Sequence, residues 1–230
     1  RKGKKEMEDL TNIPQFTLSL LGVDLVFNIT TILMTWIAMA VLIGFGFLAT
    51  RKIAFVPNPF QVVGELFVTA FYDLTRDALD EKMAKKYFPL ICCLFMFLLV
   101  SNWLGIFPKL SEPTKDLNTP LGLGLLGFVI AHYSGIKAKG LKKYLKEYCE
   151  PIFFMAPLNI IGEIAKVVSI SFRLYGNILG GAIIILVVSH LIYSLILPPL
   201  LICFFSLFIG TIQAFVFTML TLVYVSVQVK

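Results

Sequence analysis

Hydrophobic positions run along this chain in five unbroken stretches and one interrupted one. Residues 26–49, 88–107, 121–136, 152–188 and 200–227 are predominantly apolar, and each reads as a membrane helix against the roughly 20 residues that span a hydrocarbon core of about 30 Å. Residues 58–86 behave differently. Phe60, Val63, Phe67, Phe71, Leu74 and Ala78 recur at helical spacing while Asp73, Asp77, Asp80 and Glu81 fall elsewhere. That predicts an amphipathic helix, lying on the membrane surface or against a partner. Residues 1–25 are expected to form an extramembrane N-terminal segment. The third span is short and holds Gly122, Gly124, Gly127 and Gly135, which suits close helix packing. Pro151 opens the fourth stretch and Pro198-Pro199 separate it from the last. The expected fold is one all-α integral membrane domain over residues 1–230. Its last two helices, the fifth and sixth once the amphipathic one is counted, are long and tilted and form a hairpin.

Composition agrees: 58% of residues are hydrophobic, 15% are charged and the mean hydropathy is +0.86, outside the range of soluble domains. The net charge of +6 does not point to nucleic acid, because the basic residues cluster between apolar stretches. They read as topology signals instead. Residues 51–86 carry Arg51, Lys52, Arg76, Lys82, Lys85 and Lys86, and residues 137–146 carry Lys137, Lys139, Lys142, Lys143 and Lys146. The loops at 107–120 and 189–199 carry two and none. The lysine-rich side should face the cytoplasm, with the N-terminus outside and the C-terminus inside. Cys92, Cys93, Cys149 and Cys203 lack metal-ligand spacing and are expected as buried free thiols.

The chemistry concentrates in residues 159–187, which as one helix would extend about 44 Å, longer than the hydrocarbon core, and must tilt or run partly along the membrane. Stepping about 100° per residue from Arg173, the positions Asn159, Glu163, Lys166, Ser169, Gly176, Asn177 and Gly180 all fall within about 80° of it. Ile161, Ile164, Val168, Phe172, Leu174 and Ile178 take the other sides. One polar, small-residue stripe therefore runs down an apolar cylinder. Glu163 and Lys166, three apart, can pair. Arg173 lies about 15 Å along the axis from Glu163 and cannot reach it. An arginine at mid-span costs about 2.5 to 3.5 kcal/mol to insert and usually faces a bundle interior or water, so its missing carboxylate is expected on another chain. The last stretch carries a second stripe, Ser206, Gly210, Gln213, Thr221 and Tyr224, interrupted by Phe217. Alone it reads as helix packing; beside the first it becomes a candidate wall of an aqueous path.

The segment "FRLYGNILGG", with "PLNIIGEIAK" before it, "IQAFVFTMLTLVYVSV" at the C-terminus, "NWLGIFP" ending the second span and the loop "PTKDLNTPLGLGL", resembles subunit a of F-type ATP synthases over nearly the whole chain. The resemblance implies a membrane stator that faces a rotating ring of small c subunits, each bearing one embedded carboxylate. Other implied partners are the peripheral stalk subunit b and the remaining synthase subunits. It also implies two offset half-channels, with a proton or a sodium ion as the transported ion and a bacterial plasma membrane, or an equivalent energy-coupling membrane, as the location. Arg173 matches the family's essential arginine, Asn177 the asparagine one turn later and Gln213 the glutamine of the last helix. Glu163 and Asn159 would line the cytoplasm-facing half-channel, near Lys166. Asp116 would sit in the outer-side loop, and Ser206 and Tyr224 would belong to the wall on the last helix.

Two positions depart from the family pattern. Ala182 stands where many members carry a glutamate, nine residues after the arginine, so either another group serves the outer path or the ion is sodium. His190 lies nearer that end and reads as interfacial, with assistance to the path as its alternative role. Val167 replaces a proline common after Lys166 and should keep that helix straighter. No cofactor is expected, and no Walker-type loop, nucleophile constellation or metal-ligand cluster occurs in the sequence, which puts ATP chemistry on other subunits. A secondary transporter holding an anionic substrate at Arg173 would show internal repeats, which the sequence lacks. A purely structural scaffold would have no use for an unpaired arginine.

Overall fold

The computed structural model describes residues 15–20, 23–51, 59–107, 110–149, 156–191 and 197–229. The expected N-terminal stretch 1–14, the closing Lys52, the start of the fourth span at 152–155 and the connection at 192–196 lie outside these residues. Among the described residues, five helices are long and apolar enough to cross a membrane.

A two-stranded antiparallel hairpin precedes them, β1 (Gln15–Leu20) and β2 (Val23–Asn28), with Gln15 opposite Asn28 and Leu20 opposite Val23. It lies ahead of the all-α membrane portion, which is as expected, and moves the start of the first span from 26 to 29. Residues 26–28 are apolar enough to extend a hydropathy window, but their backbone bonds are made across the hairpin. Helix α1 (Ile29–Thr50) follows directly. It is apolar on all faces and leaves Trp36, Ile43 and Phe47 exposed, the pattern of a helix whose neighbour is lipid.

The amphipathic segment ends earlier than its charge pattern indicated. Helix α2 covers Pro59–Ala78, and α3 then covers Glu81–Trp103, with Asp80 extended between them as the cap residue. Lys82, Lys85 and Lys86 thus lead into the membrane helix rather than closing the surface one. Hydropathy marks where a helix enters hydrocarbon, not where its backbone starts, and good helix formers such as Met83, Ala84 and the lysines carry α3 outward past Pro89. Phe67 and Phe71 of α2 pack on Phe95 of α3, with ring centroids 6.1 and 4.5 Å apart. Phe60, Val63 and Leu66 remain exposed.

Two short 3₁₀ turns, Leu104–Ile106 and Pro113–Lys115, shape the loop into α4 (Asn118–Lys139). Asp116 ties this loop to the first span. Its carboxylate accepts from Asn28 Nδ2 and, at 3.1 Å, from Thr31 Oγ1, and its other oxygen accepts the backbone N–H of Asn118 at 3.1 Å. Helix α4 ends at Gly140, whose φ of 82° favours glycine, and the chain turns into α5 (Leu141–Cys149).

The long helix α6 covers Ala156–Leu191 without interruption. After the undescribed connection, α7 (Leu197–Ile202) leads into a π-helical stretch, Cys203–Ile209, and then α8 (Gly210–Val229). Pro198 and Pro199 sit in the first turn of α7, where a missing N–H costs nothing. Antiparallel pairing of α6 with the last helix is marked by three contacts in step. Gly181 meets Phe205, Asn177 meets Gln213, and Lys166 meets Tyr224. Helix α4 lies against one face of this hairpin. Ser171 Oγ on α6 donates to the Pro120 carbonyl at 3.1 Å, and Gly127 faces Thr221 of α8. The apolar core runs through α3, α4, α6 and α8, with Ile91, Leu98, Leu174, Phe217, Leu222 and Val225 almost fully buried.

Association inside a membrane draws little on hydrophobicity, so close approach and polar bonds must hold these helices together. Gly135 tests this. A Cβ there would stand 2.7 Å from the Tyr144 ring and 2.8 Å from the Gln228 carbonyl, whereas one at Gly122 meets nothing within 4 Å. Gly135→Ala is expected to destabilise the subunit by about 1 to 3 kcal/mol through overpacking. Gly122→Ala should be neutral or slightly stabilising. Thermal unfolding of both variants in lipid nanodiscs checks the pair.

Candidate functional site

Polar side chains on the hairpin fall into three levels. The middle level holds Arg173, Asn177 and Gln213. Asn177 Nδ2 donates to Gln213 Oε1 at 2.8 Å, bridging α6 and α8. Gln213 is buried, and its own Nε2 has no partner among the described residues. Arg173, four residues before Asn177, is exposed and makes no hydrogen bond or ion pair among the described residues. Around it the surface is low. Ser169 and Gly176 are exposed, and a Cβ at Gly176 or Gly180 would meet nothing within 4 Å. Helix α4 covers the other side of α6, where Ile170, Ser171 and Leu174 are buried. The arginine therefore stands on the uncovered face of the hairpin, as the expected stripe requires.

At the α5 end lies a small cleft between α4, α6 and α8. Lys166 Nζ bonds Glu163 Oε1 at 2.6 Å, the pairing the spacing predicted, and sits 5.7 Å from the Tyr224 ring centre. His132 of α4 lines the same cleft, with Nδ1 3.0 Å from the Phe128 carbonyl oxygen and its ring tilted against that of Phe128, centroids 3.9 Å apart. The sequence reading passed over His132. It falls within a glycine-rich apolar span, and only the fold turns it toward α6. Asn159 lies one turn before Glu163 and is half-buried.

The opposite end carries a cluster whose chief member was also missed. Ser206, inside the π-helical stretch, donates to Glu112 Oε1 at 2.7 Å. Glu112 belongs to the polar loop before α4, where the sequence offers no periodicity to separate a half-buried carboxylate from a fully solvated one. Burial pushes its carboxyl above the usual carboxylate range, while the Ser206 hydroxyl and then the Lys115 charge act in the lowering direction. The carboxyl lies over Gly105, so a Cβ at that position would fall on it. Beside it Asn102, fully buried, donates to the Gly210 carbonyl at 2.8 Å and accepts from Thr114 Oγ1 at 2.8 Å. The loop is thus fastened to the last helix at two points.

The remaining expected residues are more dispersed. Asp116 is engaged with Asn28 and Thr31 at the foot of α1, apart from the Glu112–Ser206 pair. His190 is exposed in the last turn of α6. The stripe on the last helix does not form one wall. Gly210, Gln213 and Thr221 are buried, and the Thr221 hydroxyl bonds back to Phe217 of its own helix at 2.9 Å. Among the described residues no group of three His, Cys, Asp or Glu side chains could hold a metal ion.

Comparison with known proteins agrees with this architecture. The profile of the ATP synthase A chain family matches residues 32–226. ATP synthase subunit a of Moorella thermoacetica is 36% identical over 197 residues, covering 86% of this chain and 89% of that protein. The Bacillus subtilis subunit a is 36% identical over 237 residues, covering 93% and 96%. That of Syntrophobacter fumaroxidans is 38% identical over 194 residues, covering 83% and 80%. With five membrane-crossing helices and a family match over most of its length, the chain belongs to the ATP synthase A chain family of multi-pass membrane proteins.

Proposed function

We propose that this chain is the ion-translocating stator subunit of a rotary ATP synthase, working against a ring of c subunits with one embedded carboxylate each. The observation that carries the reading is Arg173, a guanidinium without a partner among the described residues, on a face lined by Ser169, Gly176 and Gly180. A low, uncovered strip at mid-helix accepts a close, moving surface, and the arginine on it calls for an anionic group from that surface. Two polar patches lie on either side of this level. Tyr224 is about 16 Å along α8 from Gln213, and Ser206, in the π-helical stretch, lies at most about 10 Å from it in the other direction. Each patch serves as one half-channel, the Glu163–Lys166–His132 cleft toward the cytoplasm and the Glu112–Ser206 end toward the outside.

A ring carboxylate that reaches Arg173 is held ionised, because the nearby positive charge lowers its pKa. It must give up its ion to one half-channel before passing and reload from the other afterwards. Arginine rather than lysine suits the task, since it stays charged at any working pH. The same charge opposes a cation crossing directly between the patches. Asn177 and Gln213 brace α6 against α8 at this level, so the guanidinium keeps its height in the bilayer. Each ion gains about 2.3 kcal/mol per 100 mV, and rotation sums several such steps for each ATP made on subunits elsewhere in the complex. The transported ion is a proton; a preference for an imposed sodium gradient over a pH gradient would replace it with sodium. The lysine-rich side faces the cytoplasm, with the N-terminus outside, in an energy-coupling membrane. The peripheral stalk holds the chain against the turning ring.

Two outcomes test this. In proteoliposomes containing the intact complex, Arg173→Ala is expected to abolish ATP synthesis driven by an imposed ion gradient while the complex still assembles. Synthesis near the wild-type rate would reject the reading. Gly176→Leu should leave the isolated subunit as stable as wild type, since its Cβ position is open, yet block synthesis in the assembled complex by standing in the path of the ring. Thermal unfolding of the subunit and gradient-driven synthesis by the complex, measured side by side, separate those two effects.

A further inference from the structure

Glu112 is a half-buried carboxylate at the outer end of the hairpin, in the patch that the preceding reading assigns to the outer half-channel without giving this residue a role. Its setting is built rather than incidental. Ser206 donates to Oε1 at 2.7 Å, Gly105 provides the floor on which the carboxyl rests, and Thr114, two residues on, is locked to Asn102. The π-helical stretch Cys203–Ile209 is what presents Ser206 to the loop, and single π turns inside helices occur frequently at functional sites. Height matters as well. Gly181 packs on Phe205, the neighbour of Ser206, so Ala182 lies at the level of the Glu112–Ser206 pair. Ala182 offers only a methyl group there. The carboxyl available at that height comes from the loop.

We propose that Glu112 is the proton-relay carboxylate of the outer half-channel, taking over from helix position 182 a task that alanine cannot perform. This rests on the stator reading above. The carboxylate accepts a proton from water entering on the loop side, forming one O–H bond. That bond breaks when the proton passes on, through water beside the hairpin rather than through its packed seam, to a ring carboxylate at the Asn177–Gln213 level. Glu112 returns to its anion and nothing else is consumed. Burial raises its proton affinity toward the working pH, which suits a group that must both load and unload. Of the charges around it, Lys115 on its own turn is the one that acts on it. Asp116 is engaged by Asn28 and Thr31, Cys203 is exposed at the surface, and Asn102 and Ser206 do not titrate in this range.

The test uses the intact complex in proteoliposomes, with ATP synthesis driven by a fixed membrane potential while pH is varied on the side facing the outer half-channel. Glu112→Gln is expected to lower the rate on the order of a hundredfold and to remove the wild-type dependence on outer pH. Ala182→Glu in the Glu112→Gln background is expected to restore both, because it returns a carboxyl to the same level. Gly105→Ala keeps the carboxyl but displaces it, so it should lower the rate with the complex intact, and it serves where Glu112→Gln fails to assemble. Wild-type rates in Glu112→Gln at every outer pH would overturn the proposal. So would a reduced rate with an unchanged pH profile, which marks a merely structural role. In either case a parallel Arg173→Ala complex that has lost synthesis leaves the stator reading standing. If Arg173→Ala still synthesises ATP, the stator reading itself is wrong.

Discussion

A polar group inside a bilayer keeps only the partners the bundle supplies, and this constraint sorts the polar residues of the chain. Asn102, Thr114, Ser171, Thr218 and Thr221 are buried and bonded, several of them to backbone carbonyls of a neighbouring or preceding turn. Those bonds are possible because the helices come unusually close. Gly124 lets Ser171 of α6 stand against α4, and Gly127 admits Thr221 of α8. With α4 drawn onto one side of the hairpin, the opposite side is left bare, and Arg173 is on it. The position of the arginine follows from the side of the hairpin on which α4 packs.

The same packing keeps the two polar ends apart. Between the Lys166–Tyr224 level and the Ser206 level, the interior of the hairpin is filled by Leu174, Ile178, Ala214 and Phe217. Asn177–Gln213 is the polar crossing in that stretch. A continuous wet path would dissipate an ion gradient. An apolar plug with a positive charge beside it does the reverse, obliging an ion to travel on whatever passes the open face. On the stator reading, coupling is therefore a property of the packing as much as of the arginine.

Much of this was legible in residue spacing. The five spans, the Glu163–Lys166 pair and the isolation of Arg173 from its own helix all follow from 3.6 residues per turn and about 1.5 Å per residue. What did not follow was anything that depends on a change of helix type or on a loop. The stripe on the last helix was drawn on a uniform α-helical wheel. The π-helical stretch winds through a smaller angle per residue, so Ser206 and Gln213 do not share one face but point to different partners, Glu112 and Asn177. Glu112 itself sits among Pro, Ser and Lys, in a segment whose composition describes a solvated turn. The hairpin at residues 15–28 escaped for a related reason, since its apolar residues were divided between a terminal segment and a span by a rule that sees only hydropathy.

A carboxyl brought in by a loop has a physical logic in this chain. Gly181 lets Phe205 press directly on α6, and a Cβ there would stand 2.7 Å from the ring. At that height the seam between α6 and the last helix is closed by an aromatic side chain. The loop side is where Ser206 is reached and where Gly105 leaves room for the carboxyl. Asn102 secures both edges of that space, holding Thr114 on the loop and the Gly210 carbonyl where the π-helical stretch gives way to α8. Gly210 must be glycine for this, because a Cβ would lie 2.9 Å from the Asn102 Cβ. The widened turn, the buried asparagine and the two glycines thus form one arrangement, and its product is a carboxylate at a fixed height beside the hairpin.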